Sequence, residues 1–258
     1  MQSALRRRGL AWHGERDPTP LLLPRGRART RHYGLLGHYS YRLFLRDVLK
    51  HRDDLQPAAL ARYVTPAVAR RYLRVLAAAG LVAPRAPGAY RLRDPRIVSF
   101  GGTLEWYVAE VLAREFDCAT AYGLRIRHAR HGGDYDVVAC SEGEVLYAEI
   151  KSAPPRQIVQ AEVGAFLDRT DTLRPDLALF VADTTLRMRD KLVPLFAAEV
   201  ERRGLGWAAV RLAGEIWRVG PEVHLTNADP DLARNLGTCL AAHFRARGIA
   251  VGCSASMR

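Results

Sequence analysis

The chain has 258 residues, a formal net charge of +12, and 36 arginines against only three lysines. That length accommodates two domains, each with its own core. The basic balance points to an acidic polymer as partner, and no apolar run reaches the length of a membrane span, which argues against a membrane partner.

Residues 1–38 form a basic N-terminal segment with Arg6, Arg7 and Arg8 in a row and Arg25, Arg27, Arg29 and Arg31 in alternation. Arginine on every second residue suits a strand edge or an extended arm along phosphates, and equally a basic tail without fixed structure. The segment has no apolar stretch of the secretory kind. Its Arg-rich, acid-poor start resembles a mitochondrial presequence, but the arginine excess runs on to residue 96, which argues against one; a cytoplasmic setting is expected from the widely spaced cysteines.

Residues 39–98 are expected to form a small winged-helix domain. Residues 39–54 read as a helix, and residues 57–64 as a short helix opened by Pro57. Residues 65–80 follow as a third, with Thr65 as N-cap, Pro66 in the first turn and Gly80 as stop. Val68, Tyr72, Val75, Leu76 and Ala79 share its apolar face. Arg70 and Arg74 lie opposite and Arg71 flanks it, the arrangement of a recognition helix. Residues 81–94 read as two short strands around Pro87 and Gly88, a wing carrying Arg85, Arg91 and Arg93. The bland alternatives are a helical bundle with a solvated arginine face and a winged helix that binds protein. Charge favours nucleic acid: residues 1–98 hold 20 Arg and Lys against six Asp and Glu, a net of +14, while residues 99–258 carry a net of −2.

The segment 101–116 reads as an amphipathic helix whose face is Leu104, Val108, Val111 and Leu112. Glu105 flanks that face, Glu110 points away, and Glu115 lies two to three turns further on. Residues 132–155 then carry the most informative pattern. Asp136 sits on an apolar strand, where period-two phasing gives it the face of Asp134, Val138 and Cys140. Glu149 and Lys151 sit two apart on the next strand, with Val145 and Tyr147. Pairing of the strands through a turn at Ser141–Glu144 brings Asp136 and Glu149 to one edge. Two hard carboxylates suit Mg²⁺, and an ammonium beside them suits proton transfer or charge stabilisation. Lysine at 151 is informative in so Arg-biased a chain, because it can shift its pKa whereas arginine cannot. The bland reading is a solvated hairpin with an exposed ion pair. His128 and His131 lie nearby and read as solvated or phosphate-contacting.

Further on, residues 156–169 and 189–204 read as helices, 177–183 as a buried strand, 207–220 as two strands around Gly214, and 229–248 as a closing helix. Cys118, Cys140, Cys239 and Cys253 are widely spaced, suggesting neither a zinc site nor a disulfide framework.

The set Asp136, Glu149, Lys151, with an acid on the preceding helix, resembles the PD-(D/E)XK nuclease superfamily. The wording of the 101–116 helix is similar to that of some CRISPR-associated members. Tyr135 stands where the family often has proline. The resemblance implies a restriction-endonuclease-like α/β/α sandwich on a mixed sheet over residues 99–258. It implies that Glu105, Asp136 and Glu149 hold Mg²⁺ or Mn²⁺ with the Ile150 carbonyl, that Lys151 is catalytic, and that Gln157 or Gln160 acts as a polar helper. The expected function is metal-dependent phosphodiester hydrolysis, endonuclease rather than exonuclease, on DNA rather than RNA, of defence, restriction or repair type; a homodimer is left open. The rival is a winged-helix transcriptional regulator whose nuclease-like domain is a non-catalytic dimerisation or sensing module.

Overall fold

The computed structural model describes residues 1–15, 20–127 and 134–247. The first part of the chain holds α1 (Gln2–Arg7), β1 (Ala11–Glu15), α2 (Ala28–Leu36), α3 (Tyr39–Lys50), α4 (Pro66–Ala78), β2 (Val82–Ala86) and β3 (Ala89–Leu92). Then come α5 (Gly101–Phe116), β4 (Ala119–Arg127), β5 (Asp134–Ser141), β6 (Glu144–Lys151), α6 (Gln160–Leu173) and β7 (Leu177–Ala182). The chain closes with α7 (Leu192–Arg202), β8 (Val210–Ala213), β9 (Ile216–Arg218), β10 (Val223–Asn227) and α8 (Leu232–Ala246). Two compact units result, Glu15–Val108 on the one hand and Met1–Gly14 with Ala109–Arg258 on the other, and the division falls inside α5.

In the unit Glu15–Val108, α4 begins as its sequence dictates. The Thr65 hydroxyl accepts from the Val68 N–H at 3.3 Å, and Pro66 fills a first-turn position. Beyond its end, Gly80 adopts the left-handed φ of +73° that favours glycine. Ala69, Tyr72, Leu73 and Leu76 are buried. The Tyr72 ring meets Tyr41 at 4.7 Å and Phe44 at 5.2 Å, joining α4 to α3. Arg42 is wholly buried, and donates to the carbonyls of Leu36 at 2.6 Å and Gly37 at 3.1 Å, where α2 runs out of helical partners. β2 and β3 form an antiparallel hairpin that β-bridges to the main body at Leu55 and Tyr90.

Two expectations change here. Residues 57–64 form turns and bends, not a helix. Eight residues are too few to nucleate a helix without packing, and Pro66 pushes residue 65 out of the helical region. Residues 28–36, within the alternating arginines, are helical because His32 and Leu36, four apart, are buried on one face.

The other unit is built on an eight-stranded mixed sheet in the order β1-β4-β5-β6-β7-β10-β9-β8. β4, β5 and β6 form an antiparallel meander; β6, β7 and β10 run parallel; β9 and β8 return antiparallel. The β5–β6 hairpin turns through Glu142 at φ 51° and Gly143 at φ 87°, the pair of left-handed residues a two-residue turn needs. All six residues of β7 are buried, as a strand covered on both faces should be. Against the sheet, Phe166 of α6 stacks on Tyr147 at 5.6 Å and meets Phe180 and Phe196 edge-on at 5.3 and 5.9 Å. Ala4 and Leu5 of α1 join the same core. Asp176 clamps the ends of the unit: it bonds Arg8, Arg247 (3.1 Å) and the Val145 N–H (2.8 Å). Among the described residues, no helix is long and apolar enough to cross a membrane.

Glu199 of α7 is 1% exposed and ties two helices together. It accepts from Arg202 at 2.9 Å, from Arg203 at 2.7 Å and from Gln160 of α6 at 3.0 Å. Arg203 in turn reaches the Gly164 carbonyl and Asp168 on α6. The bonds from Arg202, outweighing burial, hold the Glu199 carboxyl at about 2, against an ordinary 4.5. A depressed carboxylate stabilises the fold above its unfolded pKa, and that contribution is lost as pH falls through the folded value. The parent should therefore lose stability between pH 4.5 and about 2. Glu199→Gln should cost about 1–3 kcal/mol at neutral pH and flatten this acid limb, as read by urea unfolding across that range.

Candidate active site

The site begins with a break in strand alternation. Ala121 pairs with Val138 and Leu124 pairs with Tyr135; Val138, Leu124 and Tyr135 belong to one apolar cluster and Ala121 packs against it. The members of each strand are three positions apart, so regular alternation would put them on opposite faces. The break falls at Gly123 and Asp136, and Gly123 takes the left-handed φ of 59° that makes it possible. Tyr135 therefore turns toward α6, its ring 5.3 Å from that of Tyr147. The Asp136 carboxylate meets the β6 backbone, where Oδ2 accepts from the Ile150 N–H at 2.7 Å. Ile150 lies between Glu149 and Lys151, so the acid and the Glu-x-Lys pair meet at one point.

Glu149 is 3% exposed. Its Oε1 accepts from Arg169 Nη2 at 2.7 Å and lies 3.1 Å from Lys151 Nζ, while Oε2 accepts from the Tyr147 hydroxyl. Arg169 Nε also donates to the Tyr147 oxygen at 2.8 Å. Lys151 makes a second ion pair, with Glu162 Oε1 at 2.9 Å, and Glu162 accepts from the Val159 N–H at the start of α6. Glu162, Phe166 and Arg169 follow the i, i+4, i+7 spacing of one helical face, which aims them together at β6.

Burial by itself would lower the pKa of Lys151, but Glu149 and Glu162 outweigh it and the net shift is upward from 10.5. The ammonium is thus favoured at neutral pH, where it can orient water or steady phosphate oxygens. Burial, then the neighbouring Glu149, raises the Tyr147 phenol well above its ordinary value, so it stays a donor.

Sequence reasoning missed Arg169 and Glu162. Their seven-residue spacing on the helix after Lys151 is the signal that could have found them. Gln160 donates to Leu195 O and Glu199 at 3.1 and 3.0 Å, tying α6 to α7. Glu105 lies on α5 in the residues grouped as Glu15–Val108 and is 7% exposed. His128 and His131 lie outside the described residues. Among the described residues, no group of three or more His, Cys, Asp and Glu side chains is arranged to hold a metal. The oxygens are of the hard type that Mg²⁺ prefers, but both oxygens of Glu149 are engaged, one of them by two cations. As arranged, the set does not fit a divalent ion.

In the unit Glu15–Val108, Arg70, Arg71 and Arg74 are exposed on α4, and Arg91 and Arg93 are exposed on and beside β3. Arg85 pairs with Asp54 at 2.9 Å. A groove of about 760 Å³ runs between α4 and the hairpin tip, lined by Gln56, Pro57, Arg70, Arg74, Gly88 and Tyr90 among others.

No family model matches the sequence, and no curated protein matches it. Solved structures do match. One is Can2 from Sulfobacillus thermosulfidooxidans in complex with cyclic tetra-adenylate, at 12% identity and a TM-score of 0.54, covering 93% of this chain and 59% of that one. Another is protein VC1899 from Vibrio cholerae, at 15% identity and a TM-score of 0.51, covering 95% of this chain and 61% of that one. The likeness is one of fold, and the chain spans about three fifths of the length of these neighbours.

The Asp136 bond to Ile150 should be visible in solution. Asp136→Ala leaves that N–H without its acceptor, at a cost of about 1–3 kcal/mol. Amide hydrogen exchange at Ile150 should quicken, while Asp136→Asn, which keeps an acceptor oxygen, should largely preserve protection. Equal protection in all three proteins would remove this bond from the site.

Proposed function

We propose that the chain is a phosphodiesterase of the restriction-endonuclease-like type, acting on nucleic acid, with a winged helix in residues 39–98 as its DNA-binding module. The observation that carries the reading is the meeting of Asp136 with the backbone between Glu149 and Lys151. Hydrolysis adds water to phosphorus and breaks a P–O bond. Two acids suit the incoming water, and the Lys151 ammonium suits the phosphate oxygens or the departing oxygen. The sequence pattern implies Mg²⁺ or Mn²⁺, with Glu105 as the third acid; because the set as arranged does not fit the ion, binding it would require Glu149 to release one of its present partners. The full activity would be endonucleolytic, of defence, restriction or repair type.

A second reading, the regulator with a non-catalytic sheet unit, is favoured by one observation. The Glu149 carboxylate is already saturated by Arg169, Lys151 and Tyr147. A cleavage panel separates the two: duplex and single-stranded DNA, RNA, and cyclic tetra-adenylate, the ligand in the Can2 complex, each with Mg²⁺ or Mn²⁺. The nuclease reading expects cleavage by the parent, none by Lys151→Ala, and none by Asp136→Asn with nucleic-acid binding retained or tightened. Intact substrates throughout the panel would leave the regulator.

Nucleic-acid binding is assigned to the groove beside α4. Neither Arg70 nor Arg74 has an acid partner among the described residues, so both are available to phosphates. Replacing either by Ala should lower the salt dependence of duplex binding by about one unit of slope, leaving sequence preference unchanged. Arg71, Arg91 and Arg93 are expected to add to it. Arg85, committed to Asp54, should contribute less. An unchanged slope in a salt titration of Arg70→Ala and Arg74→Ala would exclude the groove as the interface.

A further inference from the structure

The sheet unit sets two carboxylates, Glu149 and Glu162, against two cations, Lys151 and Arg169, with Asp136 on the Ile150 N–H beside them. Lys151 is shared between Glu149 and Glu162, whereas Arg169 serves Glu149 with its full charge. Arg169 is also held in place from outside the acid cluster. Its Nε donates to Tyr147 at 2.8 Å, Tyr147 is packed between Tyr135 and Phe166, and the Arg169 side chain is 14% exposed. A divalent ion on Glu149 Oε1, at about 2.0–2.6 Å, would face a guanidinium and an ammonium on the same oxygen, in a buried pocket that screens them little. Arginine stays protonated at any working pH, so it cannot relieve this clash by losing its charge.

We infer that Arg169 is a positioning residue that occupies the cation place beside Glu149 and keeps divalent metal off it until the guanidinium is withdrawn. This rests on the nuclease reading for its purpose, but not for its measurement. Removing Arg169 takes from Glu149 the cation it does not share and leaves it Lys151, which is divided with Glu162, an excess of negative charge that favours a divalent ion.

The test is Mn²⁺ binding to the full chain, read by electron paramagnetic resonance of the free ion. Parent and Arg169→Lys, which keeps the charge, should bind weakly. Arg169→Gln should bind more tightly by roughly 10-fold or more, and the double variant Arg169→Gln/Glu149→Gln should lose the gain. A folded Arg169→Gln protein that binds no more tightly than the parent overturns the inference, and so does a parent that already binds tightly through Glu149. Where circular dichroism shows Arg169→Gln unfolded, Tyr147→Phe carries the test: it frees Glu149 Oε2 and loosens Arg169, and must itself raise Mn²⁺ affinity. Cleavage is scored separately. The Mn²⁺ pattern without cleavage in any variant keeps the inference and removes the nuclease reading; cleavage by the parent with unchanged Mn²⁺ affinity in Arg169→Gln does the reverse.

Discussion

A carboxylate buried to the depth of Glu149 must be compensated, because an unpaired charge in the interior costs several kcal/mol. Much of the sheet unit can be understood as that compensation. Arg169 and Tyr147 supply direct bonds, and Lys151 supplies a nearby charge. Supplying Arg169 fixes the rotation of α6 about its own axis, and with it Phe166 over the sheet and Glu162 against Lys151. The polar cluster and the aromatic core are therefore two faces of one helix placement. Neither can be altered without the other sensing it.

Asp136 is handled differently. Its side chain bonds a backbone N–H, and it reaches that N–H because β4 and β5 break alternation together. Glycine at 123 permits the break, since a left-handed φ there would strain any residue with a β-carbon. A single permissive glycine on a neighbouring strand thus decides which way an acid on β5 is aimed.

Legibility in the sequence followed the locality of the physics. The hairpin, the α4 cap and stop, and the buried run of β7 were readable because each depends on a few adjacent residues. Regular phasing groups Asp136, Glu149 and Lys151, but the break at Gly123 does not obey that phasing, and what the structure brings together is Asp136 and the Ile150 N–H. β4 and β10 were not foreseen. β4 is interrupted by that glycine, and β10, the sequence VHLTN, reads as polar although all five residues are buried. Its burial comes from its place between β7 and β9, which no local pattern encodes. Arg169 escaped for the same reason: its partners lie 20 and 22 residues away.

The clamp at Asp176 bears on how the chain is born. Arg8, near the first residues, and Arg247, at the end of α8, grip the same aspartate, while Ala4 and Leu5 lie in the core of the sheet. A ribosome releases these partners far apart in time. Residues 15–108 have all their internal contacts available once they emerge. Residues 1–14 must instead wait, apolar side chains uncovered, until the sheet and α8 follow. Closing contacts of such sequence separation is slow, so the sheet unit is the part of this protein that stands most in need of protection from aggregation while it is made.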